Sequence, residues 1–306
     1  MILPSPRWVP LLRELGDLKR VRSANEAGSV AERLFAQAWR RLVAGEETGS
    51  VARDIATRAL VATRLGDLDG ASLRVAGVPD EAVRIIVTRA FDDATAILDP
   101  SARQWLRGRS EHVQLDEDAD PGSAMPAPDF VTRLARQPRA GATAPGRPRL
   151  MLEPPENHAE HCLCVSVAAV LLAPEAGALP GEVFLASLAH HLHNALLADS
   201  GFAGETLLGE WLAPAISGAT ELALGELAPS LGSRVAEACR ILPDVDTAEG
   251  RAFHAADTLD RVLQMEHHLR AASTSMAFVQ NEMALIHAGP IKPFQDALLD
   301  RMGLAA

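Results

Sequence analysis

The chain has 306 residues, of which 48% are hydrophobic and 23% charged, and its formal net charge at pH 7 is −11. This composition is ordinary for a globular protein and excludes a wholly disordered chain, a collagen and a disulfide scaffold, while the negative charge disfavours a nucleic-acid-coating role. Tyrosine is absent and aromatic residues make up 4%. The core must therefore be built from Leu, Ala and Val, which favours helices over sheets.

Helical patterns occupy the first hundred residues. In residues 29–43 apolar side chains recur at every fourth position. Ser29 is a natural N-cap, and Glu32 three residues later predicts a capping box. Residues 50–65 and 79–98 show the same periodicity. An all-α fold is therefore expected.

Residues 116–149 are rich in Pro, Gly, Ala and charge. They predict a mostly unstructured linker with one helical turn, between a domain at 1–115 and a domain at 150–306. Helices are predicted in the second domain at 157–173, 180–198, 204–225, 230–241, 248–273 and 275–287.

Charge and histidine differ between the two halves. Residues 1–150 carry 22 Lys and Arg against 20 Asp and Glu, whereas residues 151–306 carry 7 against 20. Nine of the ten histidines also follow residue 151. The two halves are therefore expected to have different roles.

Cellular location is predicted from the cysteines and the apolar runs. Three cysteines and no secretory signal pattern indicate a reducing, cytoplasmic environment. No apolar run approaches the roughly 18 residues of a membrane helix, so no membrane contact is expected. Ala-rich, Arg-over-Lys usage fits a GC-rich bacterial genome.

The two halves also align with each other. Residues 29–33 match 157–161, and residues 65–71 match 189–195 with a shift of four residues. An internal duplication is the preferred interpretation, and a chance match of two Ala/Leu-rich helical stretches is the alternative.

Candidate ligands concentrate in the second half. His158 and His161 are three residues apart, a histidine pair follows the apolar residues 183–189, and Asp257 lies in another helical segment. Spacing of three places side chains on one helical face, and imidazole and carboxylate ligate divalent transition metals. His161, His190 and Asp257, on three helices, could enclose one metal.

These motifs resemble the HD superfamily of metal-dependent phosphohydrolases, and most closely its nucleotidase-like branch. The resemblance covers 148–268, with 11–100 as a decayed second copy, and implies two tandem helical bundles. His161 matches the family's first His, His190 the His of its His-Asp pair, and Asp257 its final Asp. Asp199 matches a further catalytic Asp of that branch.

Two positions depart from the family pattern. His191 replaces the Asp of the pair and is predicted to be a fourth ligand, although a neutral imidazole cannot bridge two ions. Asn194 replaces an acidic residue and cannot transfer a proton, so His193 or Glu205 would have to substitute.

The resemblance implies hydrolysis of a small, nucleotide-like phosphomonoester with a divalent metal such as Mn, Co, Mg, Zn or Fe. Arg261, four residues after Asp257, is the predicted phosphate-binding residue, with a solvated surface Arg as the alternative. In the decayed half, Arg33, Gly66 and Asp67 hold the equivalent positions. Its Arg-rich face, which also includes Arg40 and Arg41, could contact the acidic half or an anionic ligand.

Two other functions remain open: a degenerate family member that binds a ligand or partner without turnover, and a two-iron oxygenase, disfavoured because that chemistry needs the bridging Asp. His158 and the pair 267–268 are expected to be exposed, and His287 to cap a helix. Long Ala/Leu faces make a homodimer a further prediction.

Overall fold

A computed structural model describes residues 3–24, 26–108, 125–269 and 275–306. These residues form helices and no named strand, so the all-α prediction is confirmed for them. Three isolated bridges are the β-type pairings among them. The first part of the predicted linker, 116–124, and the end of the predicted helix 248–273 lie outside the described residues.

Fourteen α-helices lie in the described part of the chain: α1 Val9–Asp17, α2 Val30–Val43, α3 Thr48–Leu65, α4 Gly70–Val75, α5 Asp80–Ala94, α6 Pro100–Arg107, α7 Asp129–Arg136, α8 His158–Ala176, α9 Pro180–Ala189, α10 Gly201–Leu208, α11 Leu212–Leu224, α12 Pro229–Ala238, α13 Ala248–Leu269 and α14 Lys292–Met302. Short 3₁₀ turns lie at Pro6–Trp8, Leu192–Ala195, Gly209–Trp211 and Cys239–Ile241, and a π turn at Phe278–Glu282.

Helix α2 begins where its cap predicts. The Ser29 hydroxyl accepts a hydrogen bond from the Glu32 amide, which satisfies a free donor of the first turn. The Glu32 carboxylate does not complete the predicted box but accepts from the Asn157 side chain, at the start of α8. The starts of α2 and α8 are thus bonded to each other.

Helix α8 is the centre of the molecule. It is apolar on every face, and residues 158–173 are all buried, as expected of a helix surrounded by others. Helices α2, α3, α9 and α13 pack around it. By length and composition α8 could cross a membrane, contrary to the expectation that no apolar run is long enough, but 83% of its most apolar window is buried inside the fold.

One hydrophobic cluster includes buried residues from both halves of the chain. The segment predicted as a linker also contributes, because α7 is amphipathic and buries Phe130, Val131 and Leu134. The edge of the Trp39 indole packs against Phe130, with ring centroids 4.8 Å apart. Over these residues the segment is therefore more structured than predicted.

Several predicted helices end earlier than predicted or are interrupted. The helix predicted at 180–198 ends at Ala189, and the helix predicted at 204–225 is interrupted at Gly209, whose φ is +53°. Within 275–287 only the π turn forms, and Ala284 follows it with a φ of +47°. Helix α14 was not predicted.

Helices α10 and α11 and the 3₁₀ turn between them leave apolar side chains in solvent. Leu207 is 89% exposed, Trp211 69% and Leu222 68%. An exposed apolar surface of this kind is a candidate dimer interface. Light scattering measures whether the predicted homodimer forms.

Candidate metal centre

Helix α8 brings two histidines to the centre of the fold. The Asn157 side chain and Glu160 form a complete capping box, which fixes the first turn of the helix. His158 and His161 follow in that turn, and neither is exposed to solvent. The prediction that His158 is exposed is therefore wrong, because the first turn of α8 lies against other elements rather than at the surface.

The end of helix α9 supplies the second pair. After Ala189 the chain leaves the α-helix at His190 and enters the 3₁₀ turn Leu192–Ala195. Consecutive residues of a helix point in different directions, but this bend turns both imidazoles towards α8. The ring centroids of His190 and His191 lie 4.2 Å apart, and each lies within 5.2 Å of the His161 ring.

Helix α13 crosses next to α8 and supplies carboxylates at a spacing of three. Asp257 Oδ1 lies 3.2 Å from His161 Nε2 and 4.0 Å from His190 Nε2. The two Nε2 atoms are 3.2 Å apart. The structure thus brings together the three residues that the sequence predicted as one ligand set.

Hydrogen bonds fix which ring nitrogens carry the protons. His161 Nδ1 lies 2.7 Å from Asp260 Oδ2, and His190 Nδ1 lies 2.6 Å from the Ser187 carbonyl oxygen. Both partners are acceptors, so each Nδ1 donates, and the two Nε2 atoms face the Asp257 carboxylate. Three potential acceptor atoms therefore face one another, and this arrangement is repulsive unless a proton or a cation lies among them.

Burial and charge favour the ligand forms of these groups. Burial lowers the pKa of His190 to about 3, so its imidazole is neutral at pH 7. Burial alone would raise the pKa of Asp257, but the His161 hydrogen bond and the Arg261 guanidinium outweigh it and hold that pKa below its usual range. A neutral imidazole and an ionised carboxylate are the states in which metals are bound.

The spacing of the three atoms suits a divalent cation. Ligands about 2.1 Å from a tetrahedral metal lie about 3.4 Å from each other, close to the 3.2, 3.2 and 4.0 Å measured here. A set of two imidazoles and one carboxylate suits transition metals such as Zn, Mn, Fe or Co better than Ca²⁺. The residues present therefore fit a metal ion.

His191, the predicted fourth ligand, is engaged otherwise. Its Nδ1 lies 2.8 Å from Asn194 Oδ1, so Nδ1 donates. Arg139 Nη1 lies 2.9 Å from Nε2 and donates to it. The three histidines are close enough to share an ion, but His191 would have to exchange its bond to Arg139 for that ligand role. His191 and Asn194 are thus bonded to each other.

A buried lysine and two carboxylates lie on the Nδ1 side of His161. Lys19 Nζ contacts both carboxylate oxygens of Asp260 at 2.7 and 2.8 Å and Glu156 Oε1 at 2.5 Å. The Lys19 side chain is 2% exposed. Burial alone would lower the pKa of Lys19, but the two carboxylates raise it above its usual value, so the ammonium stays charged. Lys19 therefore neutralises the charge of Asp260, the carboxylate that orients His161. The two residues are 241 positions apart in sequence.

A cavity of about 260 Å³ lies beside the predicted metal ligands. Its lining includes His190, His191 and Asp257 together with the guanidinium-bearing residues Arg139 and Arg261.

The wall of this cavity formed by residues 139–143 depends on a close backbone approach. Gly141 has a φ of +74°, and a Cβ there would collide with the Leu150 carbonyl oxygen. Arg139 donates its backbone N–H to the Glu156 carbonyl oxygen at 2.8 Å. These contacts hold the Arg139 side chain beside the start of α8.

The predicted catalytic residues have different surroundings. Asp199 lines the cavity, but its carboxylate accepts the backbone N–H groups of Ala140 and Gly201 at 2.9 Å, so it holds the wall. His193 is not among the cavity-lining residues described, and its ring lies 5.5 Å from that of His191. Glu205 does line the cavity. Burial and the nearby Asp199 raise the pKa of Glu205.

Other histidine expectations also require correction. His268 is buried, because its Nε2 bonds with the Gln264 side chain, whereas His267 is 42% exposed as expected. His287 stacks on Phe202 with centroids 4.0 Å apart and lines the cavity. Burial lowers the pKa of His287 to about 4.

Lys19 and Arg139 were missed by sequence reasoning. Lys19 lies far from the histidines in sequence, and no local spacing links them. Arg139 lies in the Pro/Gly-rich segment. The composition of that segment predicted a linker, whereas its backbone pairs with residues before α8. The one available signal was the short apolar group 130–134, which indicated that the segment packs.

Comparisons of the chain with protein-family models, with curated proteins and with solved structures found no match.

Proposed function

We propose that this protein is a metal-dependent phosphohydrolase that acts on a small, nucleotide-like phosphomonoester. The convergence of His161 Nε2, His190 Nε2 and the Asp257 carboxylate within 4.0 Å supports this proposal most directly. The lining of the adjoining cavity by two arginines adds groups that bind phosphate.

A divalent cation held by His161, His190 and Asp257 would polarise a phosphoryl oxygen and lower the pKa of a water molecule. Around it, Arg139 and Arg261 line the cavity and offer N–H groups to the remaining phosphoryl oxygens. Arg261 Nη2 donates to the Leu285 carbonyl at 2.7 Å, and Nη1 lies 3.8 Å from Asp257 Oδ2. These contacts aim the guanidinium at the substrate side of the site.

Glu205 is the proposed proton donor to the leaving oxygen. Its raised pKa enlarges its protonated fraction near neutral pH, which a general acid needs. Asn194 cannot take that role, since its Oδ1 accepts from His191 and its amide donates to the Leu197 carbonyl. His193 is the alternative proton donor, although it is not among the residues that line the cavity.

The substrate is proposed to be small. A cavity of about 260 Å³ accommodates one phosphate and part of a nucleoside rather than a polymer. The acidic balance of residues 151–306 also disfavours nucleic acid as a partner.

We further propose that the fold consists of two tandem HD-type bundles, the N-terminal one decayed. The support is that two aligned positions meet in each half. His161 and His191 lie against each other in the C-terminal half, and Arg33 and Asp67, which align with them, form an ion pair in the N-terminal half.

Ligand binding without turnover is the second candidate function. The Arg139–His191 hydrogen bond favours it, because it occupies the Nε2 lone pair at the position where the family places a metal-ligating Asp. A two-iron oxygenase is less favoured, because Lys19 already supplies the positive charge between Glu156 and Asp260.

The test is a screen of phosphomonoesters with chelator-treated protein reloaded with Mn²⁺, Co²⁺, Mg²⁺ or Zn²⁺. Turnover that requires one of these ions, is lost in His190→Ala and persists in His267→Ala supports the phosphohydrolase. Ion binding without turnover of any ester supports the second candidate. Two irons per chain would support the oxygenase and contradict the proposal.

A further inference from the structure

The N-terminal half contains a second and larger cavity. Its volume is about 410 Å³, and it lies between α2, α3 and the chain from Gly66 to Ser72. Nothing in the metal centre uses this space.

This cavity occupies the position that corresponds to the metal centre under the internal duplication. Arg33 aligns with His161, and Asp67 aligns with His191. In the N-terminal half these two residues also meet, as an ion pair between the guanidinium and the carboxylate. Arg33 Nε is also 2.7 Å from Glu26 Oε2. A fixed guanidinium therefore stands where the other half gathers imidazoles, and no metal is needed there.

The lining combines cationic and apolar groups. Arg40 and Arg58 line the cavity with Val30, Leu34 and Val61. The Arg40 guanidinium has no hydrogen-bond or ion-pair partner among the described residues.

The acidic residues of the lining are already engaged. Asp67 pairs with Arg33, and Asp69 Oδ1 accepts the Ser72 N–H at 2.7 Å as the cap of α4. Glu26 also pairs with Arg33, and its side chain is 64% exposed. The Arg40 guanidinium is thus the charge in this lining that an anion can use.

We propose that this cavity binds a nucleoside-monophosphate-sized organic phosphate without a metal and without hydrolysing it. The phosphate contacts Arg40, and the apolar body of the ligand packs on Val30, Leu34 and Val61. Positions 33, 66 and 67 hold Arg, Gly and Asp rather than a histidine cluster, so the site lacks the metal ligands of the other half. This inference does not depend on the phosphohydrolase proposal.

The experiment is isothermal titration calorimetry of the full chain in excess chelator with AMP, CMP, GMP and UMP, and with adenosine as an uncharged control. At least one monophosphate is expected to bind, and adenosine to bind at least tenfold more weakly than AMP. Arg40→Ala should weaken binding at least tenfold, and Leu34→Trp, which fills the cavity, should do the same. Arg84→Ala, on the exposed face of α5, should not change it.

Absence of binding by all four monophosphates overturns the inference. So does binding that survives Arg40→Ala but is lost in Arg139→Ala, since the ligand would then occupy the metal-centre cavity. Because Arg40 is only partly buried, its variant should retain the helical circular dichroism spectrum of the parent. If that spectrum is lost, Leu34→Trp decides alone. None of these results bears on whether the C-terminal cluster binds a metal.

Discussion

The two halves of the molecule place different chemistry at positions that align in sequence. At the start of α8 and the end of α9, two imidazoles meet each other and a carboxylate of α13. At the start of α2 and the end of α3, Arg33 and Asp67 neutralise each other. The first arrangement therefore needs a proton or a cation among its atoms, whereas the second already contains both charges.

The halves are nevertheless joined by a buried ion pair. Lys19, from the N-terminal half, neutralises Asp260 and Glu156 beside the histidines. The C-terminal site is therefore not an independent unit, and the following predictions test how far the two halves differ and how far they depend on each other.

The largest effect is expected from Lys19→Met. The change leaves two buried carboxylates without a counter-ion, and removing one partner of a buried pair costs about 3–5 kcal/mol of unfolding free energy. Urea denaturation measures this loss. Arg13→Met is the control. Arg13 joins α1 to α13 through Glu266, but its side chain is 39% exposed, and exposed pairs contribute about 0–1 kcal/mol. Equal losses in both variants would contradict the role given to Lys19.

Arg139→Ala tests the contribution of the connecting segment to the site. We expect kcat/KM for the phosphomonoester to fall about 10²–10³-fold, the size typical of removing one positioned donor in a site. Steady-state kinetics measures it, with Arg147→Ala as the control. Arg147 belongs to the same segment but pairs with Glu282 at the surface, where both side chains are about half exposed. An unchanged rate in Arg139→Ala would remove Arg139 from the site.

Acid sensitivity should belong to the C-terminal half. Burial lowers the pKa values of His158, His190 and His191, so these imidazoles are neutral when folded and protonate at about pH 6.5 when unfolded. Their contribution to stability is complete above pH 6.5 and is lost as pH falls towards the folded pKa values, at about 1.4 kcal/mol per pH unit for each group.

The check is the free energy of unfolding between pH 6.5 and 4.5 in chelator, compared with His158→Phe. The variant keeps a ring beside His191 but should bind about one proton fewer on unfolding. Identical slopes for the two proteins would show that His158 is not held neutral by burial.

The smallest effects concern the two helix caps. Asn157→Ala removes a complete capping box and a bond to Glu32, and should cost about 2 kcal/mol. Ser29→Ala removes one hydrogen bond from a cap of α2 and should cost about 1 kcal/mol. Thermal unfolding compares them, and a larger loss in Ser29→Ala would reverse the expected order.

Local patterns predicted much of the fold. Apolar periodicity predicted α2 closely, α8 to within three residues and the start of α13, because this signal is local. The expectation that His161, His190 and Asp257 meet came from their ligand chemistry and the resemblance to the HD superfamily, and the three side chains do lie together.

What the sequence did not show depends on tertiary contacts. The early end of α9 at Ala189 places consecutive histidines on one side, and no capping residue marks it. Lys19 and Arg139 reach the cluster through packing between distant segments. Asp199 was predicted as catalytic, but its carboxylate is bonded to two backbone N–H groups that only the folded chain brings near.

Metal binding by the purified chain decides whether His161, His190 and Asp257 form a metal centre. Equilibrium dialysis of chelator-treated protein against Mn²⁺, Co²⁺ or Zn²⁺, followed by elemental analysis, should give one tightly bound ion per chain and none at that affinity in His190→Ala. No tight binding of any of these ions, or full occupancy retained in His190→Ala, would contradict the assignment of this cluster as a metal centre.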